Sequence, residues 1–355
     1  MTTMGKRGFR SVLSKGFLLG MLLSSSAAVG QEQPSVQRIR KEWERFTRDP
    51  HPMGSKAQFL YAQHLKRTLS AAGLSVKEHT FLAQAPHPEL VALGAKDVAG
   101  AGAKVASKTL EVKGVNVEGT LKGSEPCVVL LGGHYDTKTF LNERFVGAND
   151  GGSSTVFLLE LARLVGKERG AKKGSTMVLK KASPAGSYGA CDLRFVLFDG
   201  EEAFFKEWDD GERLAGLKDN LYGSRAYVET QLETWKDGRP ALSGKPLVLL
   251  ALFDMIGHKK QKIFLTQGSH PGASAQLLAL KGEGAGVDMS AVPLGIEDDH
   301  IPFARRGVPF VHLIDWTNLA EWHTPRDTLD IVSAEKVATL VSIVKAFLQE
   351  KRVVP

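Results

Sequence analysis

Apolar residues in this chain fall into two periods. Residues 127–131, 193–198, 246–253 and 308–314 are near-continuous apolar runs of strand length. Runs without polar alternation predict strands buried on both faces of a sheet. Residues 74–81 and 109–117 read as further strands. Helical spacing occurs elsewhere. Ser35 opens a short charged helix over 35–49, and Ser55 opens another through Phe59, Leu60, His64, Leu65 and Leu69 that stops at Ala72-Gly73. Gly152 onward reads as a helix through Val156, Leu159, Leu161 and Val165, and 334–351 as an amphipathic helix that closes the chain. Residues 166–190, rich in Gly, Lys and Ser, read as a long exposed loop. Strands alternating with helices predict an α/β fold, a single globular domain whose central, mostly parallel (mixed) β-sheet is flanked by helices. In open sheets of this kind ligands gather at the carboxyl ends of the strands.

The N-terminal 30 residues have a pattern of their own. They hold Lys6, Arg7, Arg10 and Lys15 and no acid, then an apolar stretch from Gly16 to Leu23, then small residues up to Gly30. A basic start, a short apolar core and a small-x-small cleavage site predict a signal peptide over 1–30 and a folded domain over 31–355. The apolar stretch falls short of the roughly 20 residues that a membrane span needs. The expected location is secreted or periplasmic. This changes the reading of charge. The formal net of +7 falls to +3 without the leader, with 42 basic against 39 acidic residues, so no nucleic-acid partner is indicated. With 43% hydrophobic and 24% charged residues the chain is neither collagen-like, coiled-coil nor disordered. Its two cysteines, Cys127 and Cys191, cannot build a four-thiolate zinc site. Both precede apolar strands, so they either bridge neighbouring strand starts or lie as two inert buried thiols; geometry decides.

Candidate chemistry clusters at the strand ends. The segments are Gly132-Gly-His134-Tyr-Asp136-Thr-Lys138, Gly147-Ala-Asn-Asp150-Gly-Gly152, Phe198-Asp-Gly-Glu201-Glu202-Ala-Phe204, Leu252-Phe-Asp254-Met-Ile-Gly257 and Glu321-Trp322-His323-Thr324. A sixth, Glu297-Asp298-Asp299-His300-Ile301-Pro-Phe303, is rich in acids beside an apolar run. Singly each is weak. A lone His after a strand is more often a hydrogen-bonded core residue than a ligand. Asp150 can cap a helix, adjacent glutamates suit a helix N-terminus, and Trp208 and Trp322 can be core aromatics. Together, His134, Asp150, Glu202, Asp254 and His323 are the imidazole and carboxylate set of catalytic zinc, brought to one rim by a parallel sheet. Glu201, one residue before a ligand acid, stays free as base or acid. Asp136 can hold the His134 tautomer from behind.

In this order the motifs resemble the co-catalytic zinc aminopeptidase superfamily. Their finer text resembles glutaminyl-peptide cyclotransferases, the glutaminyl cyclases. The resemblance runs from Val36 to the C-terminus through His134-Tyr-Asp-Thr-Lys, Phe198-Asp-Gly-Glu-Glu-Ala-Phe, Asp219-Asn-Leu-Tyr-Gly-Ser-Arg225, Phe253-Asp-Met-Ile-Gly, the stretch 297–309 and Trp322-His-Thr. It implies the zinc aminopeptidase-like fold and one Zn2+ held by Asp150, Glu202 and His323. Glu201 becomes general base and acid, in a carboxylate network with Asp254 and Asp298. His134 and Asp136 are left for a second metal or as supports, and Trp208, Trp322 and Ile301 line a substrate pocket. One residue more than the family pattern separates Phe204 from Trp208, and the loop from Asp209 to Lys218 is longer. The implied partners are peptides or proteins with N-terminal Gln, without nucleic acid or stable membrane insertion, and a monomer is the default. Crowded carboxylates cannot all ionise, so at least one of Glu201, Asp254 and Asp298 is expected to hold a proton. The rival is an aminopeptidase with two zincs, bridged by Asp150 and completed by His134 and Asp254. A binding protein that has lost activity is disfavoured because no ligand or base is missing.

Overall fold

The computed structural model describes residues 32–92, 109–170, 183–281 and 286–353, so the leader expected over 1–30 lies outside the described residues. Helix α1 (Val36–Phe46) starts where the Ser35 side chain accepts the Arg38 N–H, and it buries Ile39, Trp43 and Phe46 at helical spacing. Helix α2 (Lys56–Ala71) is capped the same way by Ser55. Strands β1 (Ser75–Pro86) and β2 (Thr109–Leu121) form an antiparallel ribbon longer than the sequence pattern suggested. Then come β3 (Val128–His134), α3 (Gly152–Gly170), β4 (Asp192–Phe198), α4 (Tyr222–Gln231), and the short hairpin of β5 (Leu232–Thr234) and β6 (Pro240–Leu242). The chain continues through β7 (Lys245–Asp254), β8 (Lys262–Leu265), α5 (Pro271–Leu280), β9 (Asp288–Ala291), α6 (His300–Ala304), β10 (Phe310–Ile314) and α7 (Ala334–Phe347).

The main sheet runs β1-β2-β4-β3-β7-β10-β8-β9. Its centre, β4-β3-β7-β10, is parallel, while β1-β2, β2-β4 and β10-β8 are antiparallel. The fold is therefore the α/β mixed sheet expected. The two-residue period of a strand sends alternate side chains to opposite layers. Val129, Leu131, Phe195, Leu197 and Phe253 pack with residues of α1, α2, α3 and α7, and Val128, Leu130, Val196, Phe198 and Leu252 pack with Tyr227 and Phe303. Both faces are covered, which is why these strands read as unbroken apolar runs.

Two expectations need correction. The stretch 166–190 is not one exposed loop: α3 continues to Gly170, and Ser187–Ala190 is buried beneath the C-terminal segment. Tyr188 stacks on Phe347 at 4.6 Å, and the Gly189 N–H donates to the Leu348 carbonyl at 2.6 Å. A Cβ on Gly189 would lie 2.7 Å from that carbonyl, so glycine here permits close packing rather than exposure. The closing helix stops at Phe347, and Lys351 pairs with Ser187 as an isolated bridge instead. Between the two alternatives for the cysteines, the structure has the bridge: Cys127 and Cys191, at the starts of neighbouring β3 and β4, form a disulfide with Cα atoms 4.8 Å apart.

Candidate active site

Strands β3, β4 and β7 lie side by side and end on one rim. His134 is the last residue of β3 and Asp254 the last of β7, while Glu201 and Glu202 follow the end of β4. Asp150 arrives on the tight turn that leads into α3. Gly151 beside it has φ +77°, and a Cβ there would meet the Asp136 carbonyl at 2.9 Å and the His134 ring at 3.0 Å. His323 comes from the loop after β10 and has φ +51°, while Met255, directly after Asp254, has φ +47°. Left-handed backbone at a non-glycine residue costs about 1–2 kcal/mol, and both instances sit beside candidate ligands.

Two triads share Asp150. His134 Nε2 lies 3.2 Å from Asp150 Oδ1 and 3.3 Å from Asp254 Oδ1. On the other side, His323 Nε2 lies 3.4 Å from Asp150 Oδ2 and 3.2 Å from Glu202 Oε2. Within each triad the donor atoms lie within 4.8 Å of one another, close enough for one ion. Glu202 supports this reading most directly. Its two carboxylate oxygens are buried and accept no hydrogen bond. Lys138 Nζ, 3.6 Å away, is committed to the Ala203 carbonyl at 2.9 Å. A buried carboxylate without hydrogen bonds calls for a cation. The donor set of oxygens and imidazole nitrogens suits a divalent metal such as zinc.

A layer behind the triads holds them. Asp136 accepts the backbone N–H groups of Glu201 (3.1 Å) and Glu202 (3.3 Å) while its Oδ1 lies 3.5 Å from His134 Nδ1, so it orders two strand ends at once. Asp327, four residues past His323, accepts the N–H groups of Asn149 (2.7 Å) and Asp150 (3.0 Å). Asp298 lies with Oδ2 2.8 Å from His312 Nε2, and the other nitrogen of that ring faces Thr266 Oγ1 at 3.0 Å. Sequence reasoning did not single out Lys138, Asp327 or His312. Lys138 closes the quoted His134 segment and Asp327 lies three residues past the Glu321–Thr324 segment, and that adjacency was the available signal; nothing local marks His312 within its strand.

Electrostatics separates the acids. Burial, with the charges of Glu202, Asp298 and Asp299 around it, pushes the Glu201 carboxyl well above the usual range against the opposing pull of His134. Burial together with Asp298 and Asp150 raises Asp254 to about 6, again against His134. Asp298 goes the other way: burial would raise it, but His312 and His300 hold it below its ordinary value. The proton that crowding demands therefore belongs on Glu201 or Asp254, with Asp298 as the ionised neighbour. No hydrogen bond among the described residues ties the Glu201 carboxyl to Asp254 or Asp298; their coupling is through space. Burial lowers His323, but Glu202 and Asp150 outweigh it and carry the imidazole up to about 9. A metal binding there displaces that proton.

The aromatic residues divide. Trp322 stacks on His323 with ring centroids 3.9 Å apart, and Trp316 meets Trp322 edge-on at 5.2 Å. Phe140 and Phe145, outside the sequence-level set, stand edge-on to His323 at 6.3 and 6.1 Å. Trp208 instead donates its indole N–H to Glu297 Oε2 at 2.9 Å, and the Ile301 N–H donates to the Asp298 carbonyl at 2.8 Å. The first contact ties the Trp208 ring to the 297–301 segment that also carries Asp298 and Ile301.

Such a rim sets acids and imidazoles with metal-ligand spacing over a mixed α/β sheet, and the chain belongs to peptidase family M28, which matches residues 116–348. Within it, the chain groups with the glutaminyl-peptide cyclotransferases. A glutaminyl-peptide cyclotransferase-like protein of Mus musculus is 30% identical over 357 residues, covering 94% of this chain and 80% of that protein. A protein of the same description from Bos taurus is 31% identical over 254 residues, and there the match spans 66% of this chain and 60% of the relative. Among solved structures, a leucine aminopeptidase precursor from Bacteroides thetaiotaomicron superposes with a TM-score of 0.67 at 17% identity, covering 91% of this chain and 99% of that one. That last likeness shows the fold alone.

Proposed function

We propose that this chain is a glutaminyl-peptide cyclotransferase: it closes the N-terminal glutamine of peptides and proteins to pyroglutamate and releases ammonia. The observation that carries the chemistry is Glu201, a buried carboxyl with a raised affinity for protons, one residue from Glu202, whose carboxylate accepts no hydrogen bond. The cyclotransferase relatives supply the substrate class. Asp150, Glu202 and His323 would hold one zinc ion, which supplies polarisation of the substrate's side-chain amide oxygen. Glu201 takes a proton from the α-amino group as the amine nitrogen bonds to the amide carbon. It then returns that proton to the departing nitrogen, which leaves as ammonia as its bond to carbon breaks. Nucleophile and electrophile belong to one residue, so the enzyme must fold the glutamine into the reactive conformer rather than gather two molecules. Asp298, ionised against His312, raises the proton affinity of Glu201, as a base that later serves as an acid requires. Trp322, stacked on His323, offers an apolar wall beside that ligand.

We further read residues 1–30 as a leader and the chain as exported. The Cys127–Cys191 disulfide supports this, since such bonds persist in oxidising compartments. The described residues include no helix long and apolar enough to cross a membrane.

One observation favours a second reading. The His134, Asp150 and Asp254 triad is also closely set, which suits a two-metal aminopeptidase. Mass spectrometry of a Gln-initiated dipeptide amide, beside a Leu-initiated control, separates the two. Loss of ammonia with the peptide bond intact establishes cyclisation, and Glu201→Gln is expected to lower it by about 10²–10⁴-fold. Release of the free N-terminal residue would establish the aminopeptidase instead.

A further inference from the structure

We propose that Glu297 is a positioning residue of the reaction: its carboxylate clamps the loop that follows Glu201 onto the segment that carries Asp298, and the clamp closes one wall of the substrate site. The inference rests on the cyclase reading above and adds to it a residue that touches no reacting atom.

Residues 202–220 leave from Glu201 and return to it. The Leu221 N–H donates to the Glu201 carbonyl at 2.9 Å and the Tyr222 N–H to the Gly200 carbonyl at 2.7 Å. Within that neck, Asp219 accepts the Phe205 N–H at 2.8 Å and the Tyr222 hydroxyl at 2.6 Å, and Lys138 holds the Ala203 carbonyl. The neck is fixed by these bonds of its own, whatever the tip does. The tip is tied differently. Leu214 packs beside Leu90 and Phe205, and two side chains, one near each end of the tip, reach a single acceptor. Trp208 donates its indole N–H to Glu297 Oε2 at 2.9 Å, and Lys218 Nζ donates to Glu297 Oε1 at 3.0 Å. Arg305 Nη2 lies 3.8 Å from the same Oε1. Burial would raise the Glu297 carboxyl, but Trp208, Lys218 and Arg305 hold it below its ordinary value. It therefore accepts as an ion, which makes both hydrogen bonds of the stronger kind.

Glu297 directly precedes Asp298, whose charge acts on Glu201. The clamp thus spans the same gap as that pair of acids, from the Glu201 side to the Asp298 side. A substrate amine that reaches Glu201 must lie in or beside this gap. Loss of Glu297 leaves the neck in place, and Glu201 and Glu202 with it, but frees the tip. The bound glutamine then loses a preordered wall and keeps its base. Ordering two long side chains anew on binding should raise KM by about 10-fold. An interaction that holds substrate and transition state alike leaves kcat nearly unchanged. Glu201→Gln, which removes the base, should act on kcat instead.

The test measures kcat and KM on a Gln-initiated dipeptide amide for zinc-loaded wild type, Glu297→Ala, Glu297→Gln, Trp208→Phe and the double variant of Glu297→Ala with Trp208→Phe. Tryptic nicking after the exposed Arg213, in the loop tip, is followed in the metal-free and loaded proteins. Glu297→Ala should show a raised KM, a nearly unchanged kcat and faster nicking in both metal states. Glu297→Gln keeps an acceptor for the indole N–H without the charge and should recover part of the KM. Trp208→Phe keeps a ring but removes the N–H, so it should raise KM alone and add little once Glu297 is Ala. An unchanged KM, a loss in kcat as large as the expected rise in KM, nicking at the wild-type rate, or additive effects in the double variant each overturn the proposal. Should Glu297→Ala melt well below wild type, Lys218→Met, which opens the other side of the clamp, takes its place under the same criteria. Wild-type turnover of the dipeptide amide beside an unchanged KM in the variant sinks only the clamp. A wild type inactive on that amide sinks the cyclase reading, and the clamp's part in the reaction with it.

Discussion

Asp327 offers the sharpest perturbation because it joins two candidate ligands without being one. Its carboxylate accepts the Asn149 and Asp150 N–H groups, its backbone carbonyl accepts the Ala148 N–H at 3.2 Å, and its own N–H donates to the Thr324 carbonyl at 3.1 Å. The loop that carries Asp150 and the loop that carries His323 are thereby clamped together. Asp327→Ala strands two buried amides, at about 1–3 kcal/mol each. Part of this is offset, because burial and the Asp150 charge already push the Asp327 carboxyl up to about 8, so its removal relieves an unfavourable burial. A net loss of about 2–4 kcal/mol is expected. Zinc affinity should fall by about 10–100-fold, the usual effect of removing a group that orients ligands.

The assay is a pair of measurements on the same protein: thermal melts of the metal-free and zinc-loaded forms, and zinc affinity by competition with a chromophoric chelator. A clamp on the ligands predicts a larger loss of stability in the loaded form than in the free one. Asp327→Asn should recover only part, since its single carbonyl oxygen accepts one N–H while its NH2 faces the other. Zinc affinity indistinguishable from wild type in Asp327→Ala would refute the clamp and leave Asp327 as a fold residue only.

Three further outcomes follow from particular contacts. Lys138→Met removes the buried ammonium 3.6 Å from Glu202 and should cost the metal-free protein about 3 kcal/mol; with zinc supplying the missing charge, the loaded form should lose clearly less, so equal losses in the two melts would count against the pairing. Glu118, buried against His79, Tyr227 and Arg194, has a carboxyl held down from 4.5 to about 2 by those partners despite its burial. Its folded pKa is depressed, so its contribution, about 3 kcal/mol, is present above pH 4.5 and lost as pH falls toward 2; acid unfolding of Glu118→Gln should be correspondingly less steep in that window. Replacing Cys127 and Cys191 by Ser opens a loop of 64 residues, and thermal melts should show a loss of up to about 4 kcal/mol that reductant reproduces in the wild type.

How much of this was legible in the sequence depends on which force places each residue. The parallel strands were, because burial on both faces leaves unbroken apolar text, and Ser35 and Ser55 marked their helices because a cap is a local interaction. The same logic misread 166–190: glycine and serine suggest exposure, yet at Ser187–Ala190 they let the C-terminal segment approach, and only the fold knows where residues 348–352 return. The rim residues were legible as a set because a parallel sheet aligns its strand ends, so order along the chain becomes proximity in space.

What stayed illegible is the pairing among those acids. Sequence placed Asp298 with Glu201 and Asp254 as like groups competing for a proton. The fold sets His312 against Asp298 at 2.8 Å, so Asp298 keeps its charge and the proton moves to its neighbours. His312 lies within β10, in an apolar run where a His reads as an interruption. The contact that sets Asp298 apart from the other acids thus enters from a strand neighbouring β7, not from any acid-bearing motif. Asp327 shows the same limit from the other side. It stands four residues past His323, outside the segment that carries that ligand, and its partners, Asn149 and Asp150, precede it by more than half the domain. Residue types at a metal site are set by the chemistry of the ion and can be named from text. Their protonation is set by what lies behind them, and that is a property of packing.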